Sequence, residues 1–360
     1  MLKKIFICLF ALTCVPINAY AVKTSANATV LIDAVTRQII YSDNAEKKMA
    51  PASTTKIMTA LIAIEQGNLN EKVIISKNAE GKEGSSIYLK AGDEVTLNDL
   101  LYGLMLNSGN DAATAIAEYI GGNSKNFAKM MNERVKEMGC KDTNFVNPSG
   151  LPEEGHYSTA QDMAVIMSYA MENTVFAEIV STKEYTISAN NSNTYLRNHN
   201  KLLWKYPDCV GGKTGYTKAG GRCLVSYAKR GDIPLICVTF DDSNDWSDHV
   251  ALFDMGFEKV ESKNIIKKND ILCTRSINGE KVNILSNNDF SLPLVRKTKI
   301  TCKIYLKSNL PREITTGTDL GYAEVYCGKY KAGKVELKSG QRVKRRRSLL
   351  EYINIFRHSM

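Results

Sequence analysis

A serine and a lysine separated by two residues stand at the start of a predicted helix. Because residues three apart in a helix lie on one face, Ser53 and Lys56 are expected to be neighbours. A serine hydroxyl is a poor nucleophile until a base removes its proton. A lysine serves as that base only when burial or nearby cations lower its pKa. The Ser53 backbone N–H also lies at a helix N-terminus, where unpaired donors can hold an oxyanion.

This spacing alone is a weak signal, because about one chance match is expected in a chain of this length. Ser226 and Lys229, inside a predicted strand, repeat the same spacing. A helix-capping serine beside a solvated lysine is the competing structural interpretation. Other polar segments are therefore needed to distinguish the catalytic interpretation from the structural one.

Two further segments carry polar groups in places typical of a cleft. Ser108-Gly109-Asn110 interrupts a strongly apolar helical block. Lys213-Thr214-Gly215 is the only such triplet in the chain and ends a predicted strand between glycine-rich turns. Gly215 would let a substrate backbone approach the strand closely. Lys213 and Thr214 would offer a cation and a hydroxyl to a carboxylate.

In this order, the three motifs resemble the signature of the penicillin-recognising serine enzymes. Segments 51–60, 106–113 and 212–217 are similar to those of low-molecular-weight D-alanyl-D-alanine carboxypeptidases, and so is the loop at 147–162. The resemblance covers residues 27–257 and is looser beyond them, where it rests on element order and size. It implies a serine β-lactamase/transpeptidase-like domain, with an antiparallel five-stranded sheet and a helical block.

The resemblance also implies how the first two motifs act. Ser53 would attack the carbonyl between two D-alanines, and Lys56 would be the general base. Ser108 would relay the proton to the leaving amine. Asn110 would position Lys56 and the substrate amide.

For the third motif, the resemblance implies substrate binding. Lys213 would keep the site electropositive and help to lower the pKa of Lys56, while Thr214 would bind the terminal carboxylate beside Gly215. The backbone N–H groups of Ser53 and Tyr216 would form the oxyanion hole. Neither a metal nor a cofactor is implied.

The function implied is a D-alanyl-D-alanine carboxypeptidase acting on peptidoglycan stem peptides and acylated by β-lactams at Ser53. Three alternatives remain open: a class A-like β-lactamase, a D,D-endopeptidase or transpeptidase, and a non-catalytic wall-binding protein. Glu153 or Glu154 could activate a deacylating water, although a solvated loop is the usual place for such a pair. His156 is interpreted as structural, and the segment 197–200 is expected to shape the cleft.

Hydrophobic periodicity indicates the elements that must position these residues. Strands are followed by a helical block, three more strands and a closing helix, an α+β order with a mainly antiparallel sheet. Predicted helices cover 54–66, 97–106, 112–120, 127–138, 160–171 and 246–256; predicted strands cover 29–32, 38–41, 209–213, 222–229 and 234–241.

From about residue 264 the pattern changes to short β-rich runs separated by turn residues, which predicts a small all-β, sandwich-like domain. The predicted organisation is therefore a signal peptide at 1–21, a catalytic domain at 22–260, a β-domain at 261–340 and a tail helix at 341–360.

The net charge of +9 lies mostly at the two termini. Lys3 and Lys4 precede an apolar run and a small-residue cleavage site ending at Ala21, which is typical of a secretory signal. The last 20 residues carry a net +5 and the pattern of an amphipathic helix, which favours an anionic membrane surface. The remaining 319 residues carry only +2, so nucleic acid is not an expected partner. We expect an exported protein at the extracytoplasmic face of the bacterial membrane.

Seven cysteines follow the predicted signal peptide, and several lie in apolar strands where a thiol behaves as a small hydrophobic group. Mostly reduced, structural cysteines are expected. The four histidines are scattered, and no segment has zinc-ligand spacing.

Overall fold

The structure is a computed structural model that describes residues 22–189, 192–277, 279–295, 299–311 and 313–344. The predicted signal peptide at 1–21 and residues 345–360 of the predicted tail helix lie outside the described residues. Among the described residues, no single helix is both long and apolar enough to span a bilayer. The same residues contain no cluster of histidine, cysteine or acidic side chains suited to a metal ion.

A five-stranded antiparallel sheet forms the centre of the N-terminal domain, as predicted. In chain order, the elements are β1 (Ala28–Asp33), β2 (Ile39–Asp43), α1 (Lys56–Gln66), β3 (Lys72–Ile74), β4 (Glu94–Thr96), α2 (Leu97–Leu106), α3 (Asn110–Gly121), α4 (Ser124–Glu137), α5 (Ala160–Met171), α6 (Thr174–Ser181), β5 (Glu184–Ala189), β6 (Ser192–Arg197), α7 (Leu202–Lys205), β7 (Cys209–Thr217), β8 (Gly221–Arg230), β9 (Ile233–Phe240) and α8 (Asp245–Lys259). The strand order in the sheet is β2-β1-β9-β8-β7, so β7 lies at one edge.

The sheet is the middle of three layers. Successive side chains of a strand point to opposite faces, so Val30 and Ile32 of β1 pack against the helical block while Leu31 packs under α8. Phe253 of α8 is fully buried on that second face. Burial on both faces fixes the register of the sheet and thereby the position of its edge strand β7.

Local sequence signals predict several helix boundaries correctly. Helix α5 spans the predicted residues, and the Thr159 hydroxyl caps it by accepting a hydrogen bond from the Asp162 N–H at 3.0 Å. The predicted break after α2 is also present, where Ser108 adopts a φ of +63°. The predicted helix at 54–66 instead begins as a 3₁₀ turn, Ala52–Thr55, and becomes α-helical at Lys56. Helices α6 and α7 and the strand pairs β3–β4 and β5–β6 were not predicted.

The C-terminal domain is all-β, as predicted, and has more and longer strands than the sequence pattern indicates. Its five-stranded sheet has the order β11-β12-β17-β16-β14 and is accompanied by the pairs β10–β13 and β15–β18. The bounds are β10 (Glu261–Ile266), β11 (Ile271–Ile277), β12 (Glu280–Ser286), β13 (Phe290–Leu294), β14 (Ile300–Leu306), β15 (Glu313–Ile314), β16 (Asp319–Cys327), β17 (Tyr330–Ser339) and β18 (Val343–Lys344). Buried Val343 pairs with Ile314, so strand pairing continues to residue 344.

The turn between β1 and β2 contacts the C-terminal domain. The Arg37 guanidinium lies 4.1 Å from the ring centroid of Tyr169 and 4.6 Å from that of Tyr330. The Gln38 side chain accepts a hydrogen bond from the Val295 N–H at 3.0 Å. Cation–π contacts of this kind contribute about 0.5–2 kcal/mol each, so this turn anchors the second domain. No disulfide joins the seven cysteines of the described residues, and five of the seven are buried.

Candidate active site

Ser53 lies at a sharp turn that leads directly into α1. The preceding residue, Ala52, has a φ of +48°, a left-handed conformation that is uncommon for alanine. The turn buries Ala52 and Thr54 but leaves Ser53 half-buried at the surface of a cleft. Strand β7 passes close by, because a Cβ atom on Gly215 would lie only 3.0 Å from the Ser53 nitrogen. Glycine at 215 therefore lets the edge strand approach the serine.

The Lys56 amine is buried and has three hydrogen-bond partners. Its Nζ lies 3.0 Å from Ser53 Oγ, 2.7 Å from Asn110 Oδ1 and 2.6 Å from the Ser149 carbonyl oxygen. A neutral amine has two N–H groups and one lone pair. The two pure acceptors, Asn110 Oδ1 and the Ser149 carbonyl, can take both N–H groups, which leaves the lone pair for the Ser53 hydroxyl proton. This geometry suits a lysine that acts as a base toward Ser53.

Two physical causes favour the neutral form of this amine. Burial lowers the pKa of Lys56 well below its usual value, and the Lys213 ammonium lowers it further, while Asp111 opposes both effects. Burial also lowers the pKa of Lys213 itself, to about 7. Lys56 and Lys213 therefore lie in one buried site in which both amines have lowered pKa values.

Removing the Lys213 charge is expected to shift the acid limb of the pH–rate profile to higher pH. A nearby positive charge disfavours protonation of Lys56, so in Lys213→Gln the pKa of Lys56 rises and less free base is present at pH 7. Loss of the buried cation should also lower kcat/KM by about 100-fold. Steady-state hydrolysis of a peptide ending in D-Ala-D-Ala, measured across pH, checks this. Lys218→Gln, at an exposed lysine just after β7, is the matched control; an unshifted acid limb would refute the coupling.

Ser108 and Asn110 border the same cleft from the break between α2 and α3. The Ser108 Oγ is buried without a hydrogen-bond partner among the described residues, so its hydroxyl remains available to a reacting group. Besides contacting Lys56, Asn110 donates a hydrogen bond to the Glu83 carbonyl at 2.6 Å. Asn110 therefore ties the break at Ser108 both to Lys56 and to the backbone at Glu83.

A buried carboxylate holds the loop that faces this break. Asp111 accepts hydrogen bonds from the backbone N–H of Ile87, at 3.1 Å, and of Leu89, at 3.1 Å, and from the Ser86 hydroxyl at 2.6 Å. The carboxylate also lies in the first turn of α3, where a negative charge is favourable. Asp111 therefore fixes the neighbouring Asn110.

The cleft has a volume of about 610 Å³ and runs along the free edge of β7. Thr214, Gly215 and the exposed Tyr216 form one wall, so an extended peptide can pair with this edge strand. Lys213 is almost fully buried, and its Nζ donates to the Thr214 carbonyl at 2.9 Å. The structure thus brings all eight predicted site residues to one place.

Several residues of this site were not predicted from the sequence. Arg222 forms a salt bridge with Asp245 at 2.6 Å, and both line the cleft together with Trp246. Local sequence patterns hold no direct signal for them, because the register that places Arg222 opposite Tyr216 is seen only in the folded β7–β8 pair. The Ser149 carbonyl, a direct partner of Lys56, belongs to the backbone and has no side-chain signal.

Two acidic residues and one histidine near the predicted site lie outside the Ser53–Lys56 pair. Glu153 and Glu154 are exposed and do not line the Ser53 cleft, and Glu153 instead accepts a hydrogen bond from Asn147 at 3.0 Å. His156 is buried, with Nε2 2.9 Å from Thr55 Oγ1. Burial, followed by Lys56, lowers the pKa of His156 to about 4, so this ring is neutral and supports the turn.

Gly150→Ala is expected to destabilise the site. Gly150 has a φ of +82°, and an added Cβ would lie 1.8 Å from the Ala52 carbonyl oxygen. The loop must move, which would pull the Ser149 carbonyl from Lys56. We expect a loss of about 2 kcal/mol or more in the free energy of unfolding and at least a tenfold loss of activity. Urea unfolding and steady-state kinetics test this. Gly81→Ala, also at positive φ but in open space, is the control, and equal effects of the two variants would contradict the explanation.

Comparison with protein families assigns both domains. Residues 16–244 match the model of the family described as D-alanyl-D-alanine carboxypeptidase. Residues 261–345 match the model described as penicillin-binding protein 5, C-terminal domain.

Individual relatives agree with the family models. The chain is 34% identical to the D-alanyl-D-alanine carboxypeptidase DacF of Bacillus subtilis over 316 residues, covering 82% of this chain and 80% of the relative. It is similar in structure to the D-alanyl-D-alanine carboxypeptidase DacD of Francisella tularensis, with a TM-score of 0.64 at 27% identity, over 90% of this chain and 95% of the other. Penicillin-binding protein 5 of Haemophilus influenzae gives a TM-score of 0.66 at 27% identity, over 89% and 98% of the two chains. With its sequence, its fold and its serine–lysine site in agreement, the chain belongs to the D-alanyl-D-alanine carboxypeptidase family.

Proposed function

We propose that this chain is a serine-type D-alanyl-D-alanine carboxypeptidase that removes the terminal D-alanine from peptidoglycan stem pentapeptides. The observation that carries the proposal is the buried Lys56 amine, whose two N–H groups are taken by acceptors and whose lone pair faces Ser53. Family membership supports the choice of substrate.

The positions of the side chains support the following acylation step. Lys56 takes the Ser53 proton as Oγ attacks the carbonyl between the two D-alanines. The backbone N–H groups of Ser53 and Tyr216 hold the oxyanion, and one such donor is worth about 3–4 kcal/mol of the barrier. Ser108 passes the proton to the leaving amine, and Thr214 with the neighbouring buried cation binds the carboxylate of the departing D-alanine.

Deacylation uses the same base. Once the proton has left with the amine, Lys56 is again neutral and can activate the water that hydrolyses the Ser53 ester. No acidic side chain is required for this step, which agrees with the exposed positions of Glu153 and Glu154 outside the cleft.

β-Lactams are expected to acylate Ser53 by the same route. Their strained amide resembles the D-Ala-D-Ala bond, but the amine that is released stays tethered to the acyl group. The tethered amine still occupies the leaving-group side, which obstructs water, so the acyl-enzyme should persist.

Incubation of the chain from Val22 onward with a pentapeptide ending in D-Ala-D-Ala tests the proposal. We expect release of D-alanine, and no release from a matched peptide ending in D-Ala-L-Ala. Fast turnover of penicillin without peptide trimming would instead show a β-lactamase. If neither substrate reacts, the chain is a non-catalytic binding protein and the proposal is wrong.

We further propose that residues 1–21 direct export and that the tail attaches the protein to the extracytoplasmic face of the membrane. Export is supported by the N-terminal segment, in which basic residues are followed by an apolar run and a small-residue cleavage site. At the other end, a cluster of basic residues precedes an amphipathic pattern.

Deleting residues 345–360 should move the protein from the membrane fraction to the soluble fraction. This deletion leaves β18 intact, whereas one starting at residue 342 would remove the buried Val343. Each basic residue near an anionic surface contributes about 1 kcal/mol. Replacing Arg345, Arg346 and Arg347 with glutamine separates the charge contribution from the apolar one and should make binding weaker. A distribution unchanged by the deletion would refute the anchor.

A further inference from the structure

A second cavity lies behind the loop that joins α4 to α5. This α4 cavity has a volume of about 680 Å³, and its lining includes Lys125 and Lys129 of α4 and Ser149 and Leu151 of the loop. Leu151 also lines the Ser53 cleft. The cleft and the α4 cavity therefore share one residue and lie against the same loop.

Hydrogen bonds hold this loop in place at two points. Asn132 of α4 accepts a hydrogen bond from the Phe145 N–H at 2.8 Å and donates one to the Phe145 carbonyl at 2.7 Å. Further along the loop, Lys56 donates to the Ser149 carbonyl at 2.6 Å. The loop is thus tied to α4 on one side and to the proposed base on the other. The α4 cavity is therefore formed before any ligand binds, as is usual for binding sites.

The α4 cavity adjoins the acyl side of the cleft. In the proposed chemistry, Ser108 and Thr214 serve the leaving D-alanine. The cleft is also lined by Gly84, Gly150 and Leu151, which take no part in holding the leaving group and are therefore available to the acyl side. A Cβ atom on Gly84 would lie 4.0 Å from Leu151 Cδ2, so these two residues meet at the rim between cleft and cavity. A peptide that continues from the acyl residue would cross this rim into the α4 cavity.

Positive charge dominates the lining of the α4 cavity. Lys82, Lys125 and Lys129 all line it, and none of them forms a salt bridge with an acidic side chain among the described residues. Lys125 and Lys129 are four residues apart on α4, a spacing at which like charges repel. Glu153 is the one acid in the lining, and its carboxylate accepts a hydrogen bond from Asn147 at 3.0 Å. A carboxylate on a ligand would pair with the lysines and relieve their repulsion.

The proposed substrate carries such a carboxylate at a suitable distance. The second residue of a peptidoglycan stem peptide is a D-glutamate linked through its side chain, so its α-carboxylate is free. An extended chain advances about 3.5 Å per residue, which puts this group about 10 Å from the cleaved bond. Two hydrogen bonds, of 3.0 and 2.6 Å, lead from Ser53 Oγ through Lys56 to the Ser149 carbonyl, so the cavity wall lies well within this reach.

We propose that the α4 cavity binds the free carboxylate of the second stem residue, so that the enzyme selects its substrates by an anionic group on the third residue before the cleaved bond. This inference rests on the proposed carboxypeptidase function. It concerns which stem peptides are preferred, not which bond is cleaved. Lys125 and Lys129 supply the charge, and stem peptides whose second residue is amidated should be poorer substrates.

Two pentapeptides that end in D-Ala-D-Ala and differ only at the second residue test this inference. One carries side-chain-linked D-glutamate with a free α-carboxylate, and the other carries the corresponding α-amide. In the wild type, kcat/KM should be about fivefold higher for the acid, through a lower KM. Lys125→Gln/Lys129→Gln should remove this preference and leave the rate with the amide unchanged. Added salt should weaken the preference of the wild type.

A matched control and a binding measurement accompany the kinetics. Lys136→Gln/Lys259→Gln removes two exposed charges outside the cleft and the α4 cavity and should keep the preference for the acid. Binding of both peptides to Ser53→Ala, measured by calorimetry, separates recognition from catalysis. The acid should bind about fivefold more tightly than the amide, and adding the Lys125 and Lys129 substitutions should abolish the difference.

The outcomes separate this inference from the proposed function. If the wild type trims the acid and the amide equally well, the inference is wrong and the carboxypeptidase function stands. A preference that persists in Lys125→Gln/Lys129→Gln also overturns the inference, because the carboxylate is then recognised elsewhere. If neither peptide is trimmed but the acid binds more tightly through these two lysines, the proposed function fails and the carboxylate site stands. Absence of both trimming and selective binding would overturn both proposals.

Discussion

Ser53→Ala is expected to abolish D-alanine release and β-lactam labelling while leaving the fold intact. The Ser53 Oγ is the one atom that the proposed mechanism joins covalently to the substrate. Removing the nucleophile of a serine peptidase costs on the order of 10⁶ in kcat. Because Ser53 is only half-buried, the free energy of unfolding should change by less than about 0.5 kcal/mol. D-Alanine release, mass spectrometry of the penicillin adduct and thermal unfolding measure these three effects.

Ser247→Ala provides a matched control for this variant. Ser247 is exposed on α8, and its hydroxyl only donates to the Asn244 carbonyl at 2.9 Å. Its removal should leave activity and labelling unchanged. D-Alanine release that survives Ser53→Ala would show that another group is the nucleophile.

Lys56→Gln is expected to lower both acylation and D-alanine release by about 10³-fold at pH 7. A general base contributes about 10²–10⁴ to the rate, and the glutamine amide is too weakly basic to take the Ser53 proton. The shorter side chain also takes the Lys56 hydrogen bonds away from the Ser149 carbonyl and from Asn110 Oδ1. The acid limb that Lys56 produces should disappear from the pH–rate profile. Pre-steady-state acylation by a chromogenic β-lactam isolates this step.

The chain offers a matched control in its second Ser-x-x-Lys segment. Lys229→Gln makes the same chemical change at an exposed lysine of β8 and should leave the rate within about twofold of wild type. If Lys56→Gln kept more than a tenth of the wild-type acylation rate, the base would have to be a different group. Thermal unfolding of both variants would show whether a loss of rate reflects loss of structure.

Local patterns predicted those parts of the molecule that local physics determines. Helix α5 follows a threonine cap and an unbroken helix-forming sequence, so its limits need no knowledge of the rest of the chain. The order of the three motifs likewise pointed to one cleft, although spacing alone did not distinguish Lys56 from Lys229. The structure distinguishes them by burial, since Lys56 lies in the core and Lys229 is exposed.

Local sequence patterns could not predict contacts between segments that are far apart in the chain. The Ser149 carbonyl and Lys56 are 93 residues apart in the sequence. Every residue has a backbone carbonyl, so nothing in the sequence marks this one as a partner of Lys56. Arg222 and Asp245 meet because β8 and α8 pack at one end of the sheet, which depends on the complete topology. The cavity lined by Tyr195, Arg197 and Trp204 depends similarly on the loop after the unpredicted β5–β6 hairpin. These features depend on tertiary packing, which no single segment encodes.

The burial of Lys56 has a consequence for how this protein can be studied. The pKa of the amine is lowered mainly by burial, and this burial requires four segments, near residues 53, 110, 149 and 213, to be assembled around it. Loosening any one of them is expected to expose the amine to water, raise its pKa and leave Ser53 without its base. The proposed covalent labelling by a fluorescent penicillin should therefore report only the correctly folded molecules. In a refolding experiment, that count should rise only at the last step, after helical circular dichroism has already recovered.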